Sequence, residues 1–238
     1  MALPKLNQTP SYELTIPSTG ETLKYRPFLV KEQKILLMAL ETQDEKQILR
    51  GIYDTLHACL IDNYNILKLK MFDIEYIFLQ IRGKSIGESA ELTLKCAQCE
   101  ADNPVKIPLT DIKLSEQDGE IKNKINIGTE YVLNLGWPNF KTLTELEAPE
   151  EGLTQAELLY QQGLLCLESL DTADEKIYFA EETKESKEEF MGSLTSDQFN
   201  DIIKYAGMMP SLSHDLEFNC NKCNETNTYN LRGIQDFF

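Results

Sequence analysis

An α+β protein is predicted for this chain of 238 residues: an N-terminal hairpin and helices, then a β unit split in two by a long helical insertion. Three observations carry that prediction. Apolar residues recur at three- and four-residue steps in some segments and alternate strictly in others. Two Cys-x-x-Cys turns, Cys96–Cys99 and Cys220–Cys223, each lie between alternating segments. Hydrophobic residues make up 42% of the chain, enough to bury a sizeable core and to exclude general disorder.

Residues 12–16 (YELTI) and 22–26 (TLKYR) have strand character and flank the turn sequence Pro17-Ser18-Thr19-Gly20, which predicts an opening hairpin. Pro27 ends that pattern, and helix is expected from Lys31. Ile48, Leu49, Ile52, Leu56, Cys59 and Leu60 trace one face of a second helix. Thr42 or Asp44 is placed to cap its start, and Asn63-Tyr64-Asn65 to end it. In a third helix Asp73 is the expected cap, Ile74, Ile77, Phe78 and Ile81 the apolar face, and Gly83 the residue just past the end.

The period then drops to two. Leu92 and Leu94 alternate with polar neighbours before Cys96-Ala97-Gln98-Cys99, and Val105, Ile107 and Leu109 alternate after it. Residues 111–128 read as a polar connection and 130–135 (EYVLNL) as one more strand. Three helical segments are expected next. The first opens on the capping box Thr154-Gln155-Ala156-Glu157, and the second is a short acidic helix at 172–182. The third opens on the box Thr195-Ser196-Asp197-Gln198 and shows Phe199, Ile202, Ile203 and Ala206 on its face. Leu216 and Phe218 then lead into Cys220-Asn221-Lys222-Cys223, with Tyr229 and Leu231 beyond, so the strand–CxxC–strand unit occurs twice.

A CxxC at a hairpin tip sets two thiolates a coordination width apart, and two such knuckles supply four sulfurs, the tetrahedral set that suits Zn²⁺. Cys96, Cys99, Cys220 and Cys223 are therefore the candidate metal ligands, binding as thiolates to one structural zinc per chain. Residues 100–219 lie between the inner cysteines, far more than the ~15–20 residues of a compact zinc ribbon. The β unit is thus read as zinc-ribbon-like but split, with the metal closing the base of the insertion. Thioredoxin-like redox chemistry would need its CxxC at a helix start, whereas strands flank both motifs here. Four thiolates leave no open position for a substrate, so a catalytic role for the metal is not expected. Cys59 and Cys166 fall on apolar helix faces and read as small buried hydrophobes.

Composition narrows the function classes. Acidic side chains number 39 against 23 basic, a net charge of −16, which disfavours nucleic acid and anionic membranes as partners. No N-terminal stretch combines a basic start, an apolar run and a small-residue cleavage site, and no apolar run approaches the ~20 residues a bilayer needs. The expected setting is a reducing cytosol, where cysteines hold metal more often than they form disulfides.

Other candidate sites give way to plainer readings. Gly83-Lys84-Ser85 lacks the upstream glycine and strand of a phosphate loop, Phe78 standing where the glycine belongs. His57 is expected on a helix edge or in the core, and His214, though near the second knuckle, is not needed once four cysteines fill the site. Glu181, Glu182, Glu185, Glu188 and Glu189 lack metal-loop spacing and read as a solvated helix face. No nucleophile arrangement can be argued from spacing, and the chain is not expected to be an enzyme. Met208-Met209-Pro210 and the terminal Phe237-Phe238 are apolar groups suited either to internal packing or to docking a partner.

The strings KYRPFLVKEQK (residues 24–34) and FDIEYIFLQIRGKSIGE (residues 72–88), followed by a cysteine-containing segment, resemble the baseplate hub proteins of T-even-type contractile-tailed phages. The resemblance is closest over residues 10–110 and looser through the C-terminal half. It implies a late viral protein that helps build the baseplate hub, as an assembly chaperone or a minor hub component. Its partners would be other hub or spike proteins, and its place the host cytoplasm during assembly or the virion tail baseplate. A zinc-ribbon adaptor regulating a host or viral enzyme is the alternative. The expected organisation is a hairpin and helical region at 1–88, paired CxxC hairpins at 89–110 and 214–238, and an insertion at 111–213 holding a strand and acidic helices.

Overall fold

Alternation at the N-terminus produces the expected hairpin. In the computed structural model, which describes residues 9–42, 44–115, 121–145 and 153–233, β1 (Tyr12–Thr15) pairs antiparallel with β2 (Thr22–Tyr25). Leu14, Ile16, Leu23 and Tyr25 are buried, and the turn closes through Gly20, whose N–H donates to the Ile16 carbonyl at 2.9 Å. Gly20 has φ +72°, a left-handed conformation that costs glycine nothing.

Helices α1 (Val30–Glu41) and α2 (Glu45–Cys59) follow, and the carboxylate of Asp44 caps α2 by accepting from the N–H groups of Lys46 and Gln47. The two helices meet at Gly51, where an added Cβ would come within 2.9 Å of the Ala39 Cβ, so only glycine allows this approach. Glu32, in the first turn of α1, is a buried carboxylate. It accepts from the Leu29 N–H at 2.8 Å and from Arg26 Nη2 at 2.9 Å.

Helix α3 (Met71–Ser85) buries Phe72, Ile74, Ile77, Phe78, Leu79 and Ile81, which spread round most of its circumference, the pattern of a core helix. Its N-cap is Lys70; Asp73 stands one turn in, fully buried, accepting from the N–H groups of Lys70 and Ser18 and from the Ser18 hydroxyl. The helix also runs through Gly83 to Ser85 rather than ending there. The Ser85 hydroxyl bonds back to the Ile81 carbonyl at 2.6 Å and accepts the Phe28 N–H, which ties this last turn down. A short 3₁₀ turn at Ile66–Lys68 precedes α3.

Strands β3 (Ser89–Lys95) and β4 (Asp102–Pro108) form the first CxxC hairpin in full register. The chain then passes through β5 (Lys113–Leu114), leaves, and returns as the second hairpin, β10 (Leu212–Asn219) with β11 (Thr226–Arg232). Before that return come β6 (Lys124–Ile127), β7 (Tyr131–Leu135), α4 (Phe140–Glu145), α5 (Gln155–Leu165), β8 (Leu167–Asp171), β9 (Lys176–Tyr178), α6 (Lys184–Gly192) and α7 (Ser196–Gly207). Strand β5 pairs with β10, giving the sheet order β11-β10-β5. Ala90 of β3, Ile107 of β4, Leu212 of β10 and Leu231 of β11 share one apolar cluster with Leu79 of α3. Both hairpins are thereby seated on the same central helix.

The chain divides into two compact units, one of residues 1–115 and 211–238 and the other of residues 116–210. The second unit is mixed rather than purely helical. Its sheet runs β6-β7-β8-β9, all antiparallel, and Ile125, Leu133, Leu135 and Leu167 from it share a core with Met191, Ile202 and Tyr205 from α6 and α7. The expected capping boxes at Thr154 and Thr195 both form. The acidic helix expected at 172–182 does not. Thr172 and Glu175 close a tight turn there, and Leu170 pairs with Ile177 across β8 and β9. Acidic content suggested a solvated helix, but the pairing of alternate apolar residues decided the matter.

Candidate metal centre

Each knuckle is built the same way by its hairpin. The Cys96 N–H donates to the Ala101 carbonyl at 2.9 Å, and the Glu100 N–H returns to the Cys96 carbonyl at 2.9 Å. In the second hairpin the Cys220 N–H donates to Glu225 O at 2.8 Å and the Asn224 N–H to Cys220 O at 2.9 Å. Glu100 and Asn224, the residues after each second cysteine, both take positive φ, +55° and +60°. This left-handed residue turns the chain back so that both sulfurs face one side.

The four predicted ligands come together. The sulfurs of Cys96, Cys99, Cys220 and Cys223 all lie within 4.8 Å of one another. Two pairs run across the knuckles, Cys96–Cys223 and Cys99–Cys220, each at 3.6 Å. A tetrahedron with Zn–S of about 2.3 Å has edges of about 3.8 Å, so the spacing is compatible with a tetrathiolate ion. Cys96 and Cys220 are buried while Cys223 is exposed, leaving one edge of the site open to solvent.

The surroundings favour the thiolate at Cys220 and Cys96. Backbone N–H groups of Cys223 and Lys222 point at the Cys220 sulfur, against an opposing effect of burial, and bring its pKa down to about 6. Burial raises the Cys96 thiol, but the Cys99 and Gln98 N–H groups and the Asn227 side chain outweigh it and lower the net value. Cys223 moves the other way, to about 12: the Glu225 N–H lowers it, but burial and the three neighbouring sulfurs raise it by more. The shifts run in opposite directions because neighbouring negative charges oppose one another in so small a space. A divalent ion would supply the compensating charge, and the donor set suits one.

Two side chains outside the expected set belong to this site. Asn227 Oδ1 accepts the Ala97 N–H of the opposite knuckle at 2.8 Å, and Asn103 Oδ1 accepts the Asn221 N–H at 2.8 Å. Both hairpins therefore read Cys-x-x-Cys-x-x-x-Asn, and each asparagine reaches across to the other turn. The repeated spacing was visible in the sequence, but hairpin asparagines have many uses and nothing in the spacing says that each crosses over. The Tyr229 hydroxyl, donating to the Lys95 carbonyl, adds a third bond between the hairpins.

The other candidates stand apart. Cys59, in α2, and Cys166, at the end of α5, are buried, and desolvation raises the Cys59 thiol to about 11, as suits an inert hydrophobe. His57 is exposed beside the Tyr53 ring, and His214 is half-buried opposite Leu231 in the β10–β11 ladder. Gly83, Lys84 and Ser85 lie inside α3, with Lys84 paired to Glu88 at 2.7 Å. Among the described residues the four cysteines are the one group of metal-ligand side chains close enough to hold an ion. Met208, Met209 and Pro210 are half-buried, while Phe237-Phe238 lie outside the described residues. Exposed large apolar side chains concentrate instead on α1 and its start: Leu29, Val30, Ile35, Leu37, Met38 and Leu40. No helix among the described residues is long and apolar enough to cross a membrane.

No curated protein and no solved structure matches the chain. A family match covers nearly all of it, including both strings that resemble hub proteins, both knuckles and the intervening unit. Residues 9–238 match the family described as T4 bacteriophage base plate protein, and the chain belongs to that family, with a structural or assembly role in the phage baseplate among other baseplate proteins.

Proposed function

We propose that the protein acts at the baseplate hub, as an assembly factor or minor hub component that binds other hub or spike proteins and catalyses no reaction. The family match over residues 9–238 is the observation that carries this reading. The site chemistry supports it, since four cysteine sulfurs gathered within 4.8 Å complete a coordination sphere and leave no vacancy for a substrate. The proposed ion is one structural Zn²⁺ per chain, held by Cys96, Cys99, Cys220 and Cys223; when bound it supplies a cross-link between the two hairpins. Exposed apolar residues on α1, with Val30 80% and Met38 58% exposed, suit a protein that works through contact.

Quantitative mass spectrometry of mature particles beside isolated tail-assembly intermediates tests the proposal. A fixed stoichiometry in both makes the protein a hub component, and enrichment in intermediates with absence from particles makes it a departing chaperone. Absence from both overturns the hub assignment.

A further inference from the structure

We infer that Asn103 and Asn227 are positioning residues for the metal, each gripping the opposite knuckle so that four sulfurs stand in ligand geometry before an ion arrives. The inference rests on the reading of the cysteine cluster as a metal centre. Both side chains are buried, at 0% and 3% exposure, and both amides are satisfied at each end. Asn103 Nδ2 donates to the Ala101 carbonyl of its own turn at 2.8 Å while its Oδ1 holds the Asn221 N–H of the other. Asn227 mirrors this, with Nδ2 donating to Glu225 O at 2.9 Å and Oδ1 holding the Ala97 N–H. The four bonds form two bridges related by the pseudo-twofold of the paired hairpins.

The choice of atoms shows what the bridges act on. Ala97 and Asn221 each directly follow the first cysteine of a knuckle, so the N–H that is held belongs to the ligand-bearing segment itself. Fixing that segment fixes where the neighbouring sulfur points. Asparagine is the residue that can do this, because one end must accept from an N–H while the other donates to a carbonyl. Aspartate would set a second acceptor against that carbonyl and add negative charge beside thiolates.

The two bridges differ in one respect. Asn227 Nδ2 also lies 3.6 Å from Cys96 Sγ, a donor turned toward a ligand sulfur. Among the described residues Asn103 makes no such contact with Cys220. Asn227 therefore both orients a ligand and offsets its charge, whereas Asn103 only orients.

The test measures Zn²⁺ and Co²⁺ affinity of the full chain by chelator competition, with the Co²⁺ absorption spectrum and the melting midpoint of the metal-free protein in parallel. Asn103→Ala and Asn227→Ala are expected to lower affinity about 10- to 100-fold while keeping one ion per chain and a four-sulfur Co²⁺ spectrum. Asn103→Asp, which keeps the acceptor for Asn221, is expected to lose less than Asn227→Asp, which sets a carboxylate beside the Cys96 sulfur. If an alanine variant does not fold, this aspartate pair decides the question. Affinities within about twofold of the parent, with only the metal-free midpoint reduced, would show two ordinary turn-closing residues and overturn the inference. Equal losses in the aspartate pair would overturn the separate role of Asn227. A parent chain that binds neither ion defeats the metal reading itself, and a parent that binds while all variants match it defeats only the positioning role.

Discussion

Removing the metal should lower the stability of one unit and leave the other untouched, and the chain carries separate probes for the two. The cysteine cluster lies in the unit made of residues 1–115 and 211–238. The single tryptophan, Trp137, lies in the other, stacked on Tyr205 with ring centroids 5.4 Å apart and its indole N–H donating to the Tyr205 carbonyl. An ion that binds only the folded state stabilises it by about 4.1 kcal/mol when its free concentration is a thousand times the dissociation constant. For a unit of about 140 residues each kcal/mol is worth about 3–5 °C, so chelation should lower its midpoint by about 12–20 °C. It should not unfold the unit, because the β5–β10 pairing, the shared apolar cluster and the two asparagine bridges persist without an ion. The assay is thermal melting followed by far-UV circular dichroism and by tryptophan emission, with and without chelator. A dichroism transition that falls while the tryptophan transition holds is the expected result. Equal movement of both, or of neither, refutes the assignment of the metal to one unit.

Three further outcomes are expected. Cys220→Ser removes one of the four clustered sulfurs, so bound zinc should fall well below one per chain and the parent's response to chelator should vanish, as read by metal analysis and melting. Glu32→Gln should cost about 3 kcal/mol at pH 7 by denaturant titration, the low end for a broken buried pair because the Arg26 side chain keeps 19% exposure. Burial raises the Glu32 carboxyl, but Arg26, the Leu29 N–H and Lys31 together hold it below its ordinary value. A folded pKa below the unfolded one gives stability that is complete above the unfolded value and lost as pH falls through the folded one. The gap between parent and variant should therefore close below about pH 4, and a gap that persists there contradicts the ion pair as its source. Gly51→Ala forces a Cβ to within 2.9 Å of Ala39 and should cost about 1–3 kcal/mol, whereas an exposed helical glycine replaced by alanine would gain stability.

Local signals in the sequence were reliable wherever one segment decided its own structure. The caps at Asp44, Thr154 and Thr195 formed as read, and so did the alternation that brackets each CxxC turn. The readings that failed depended on a distant partner. Asp73 looked like a helix cap, but Ser18 of the N-terminal hairpin holds its carboxylate one turn into α3. Gly83 looked like a helix end, yet the Ser85 hydroxyl, joined to Ile81 and to Phe28, carries the helix past it. Residues 172–182 look acidic and solvated in isolation, and only the pairing of β9 with β8 makes Lys176–Tyr178 strand. The cysteine cluster was legible because chemistry restricts cysteine pairs to few uses. The asparagines that join the knuckles were not, since their partners sit on the other hairpin.

The return of the chain at Ser211 has a consequence for how the gene tolerates rearrangement. The Ser115 N–H donates to the Ser211 carbonyl at 2.8 Å, and the Ser115 hydroxyl accepts the Ser211 N–H at 3.1 Å. Ser115 and Ser211, which bracket the second unit in sequence, thus meet as one hydrogen-bonded pair. Splicing a short glycine turn across that pair would leave both knuckles in place and restore a nearly ordinary ribbon spacing. The excised stretch, meanwhile, keeps its own sheet, helices and apolar core. An insertion or exchange within this stretch should therefore leave the cysteine cluster in place.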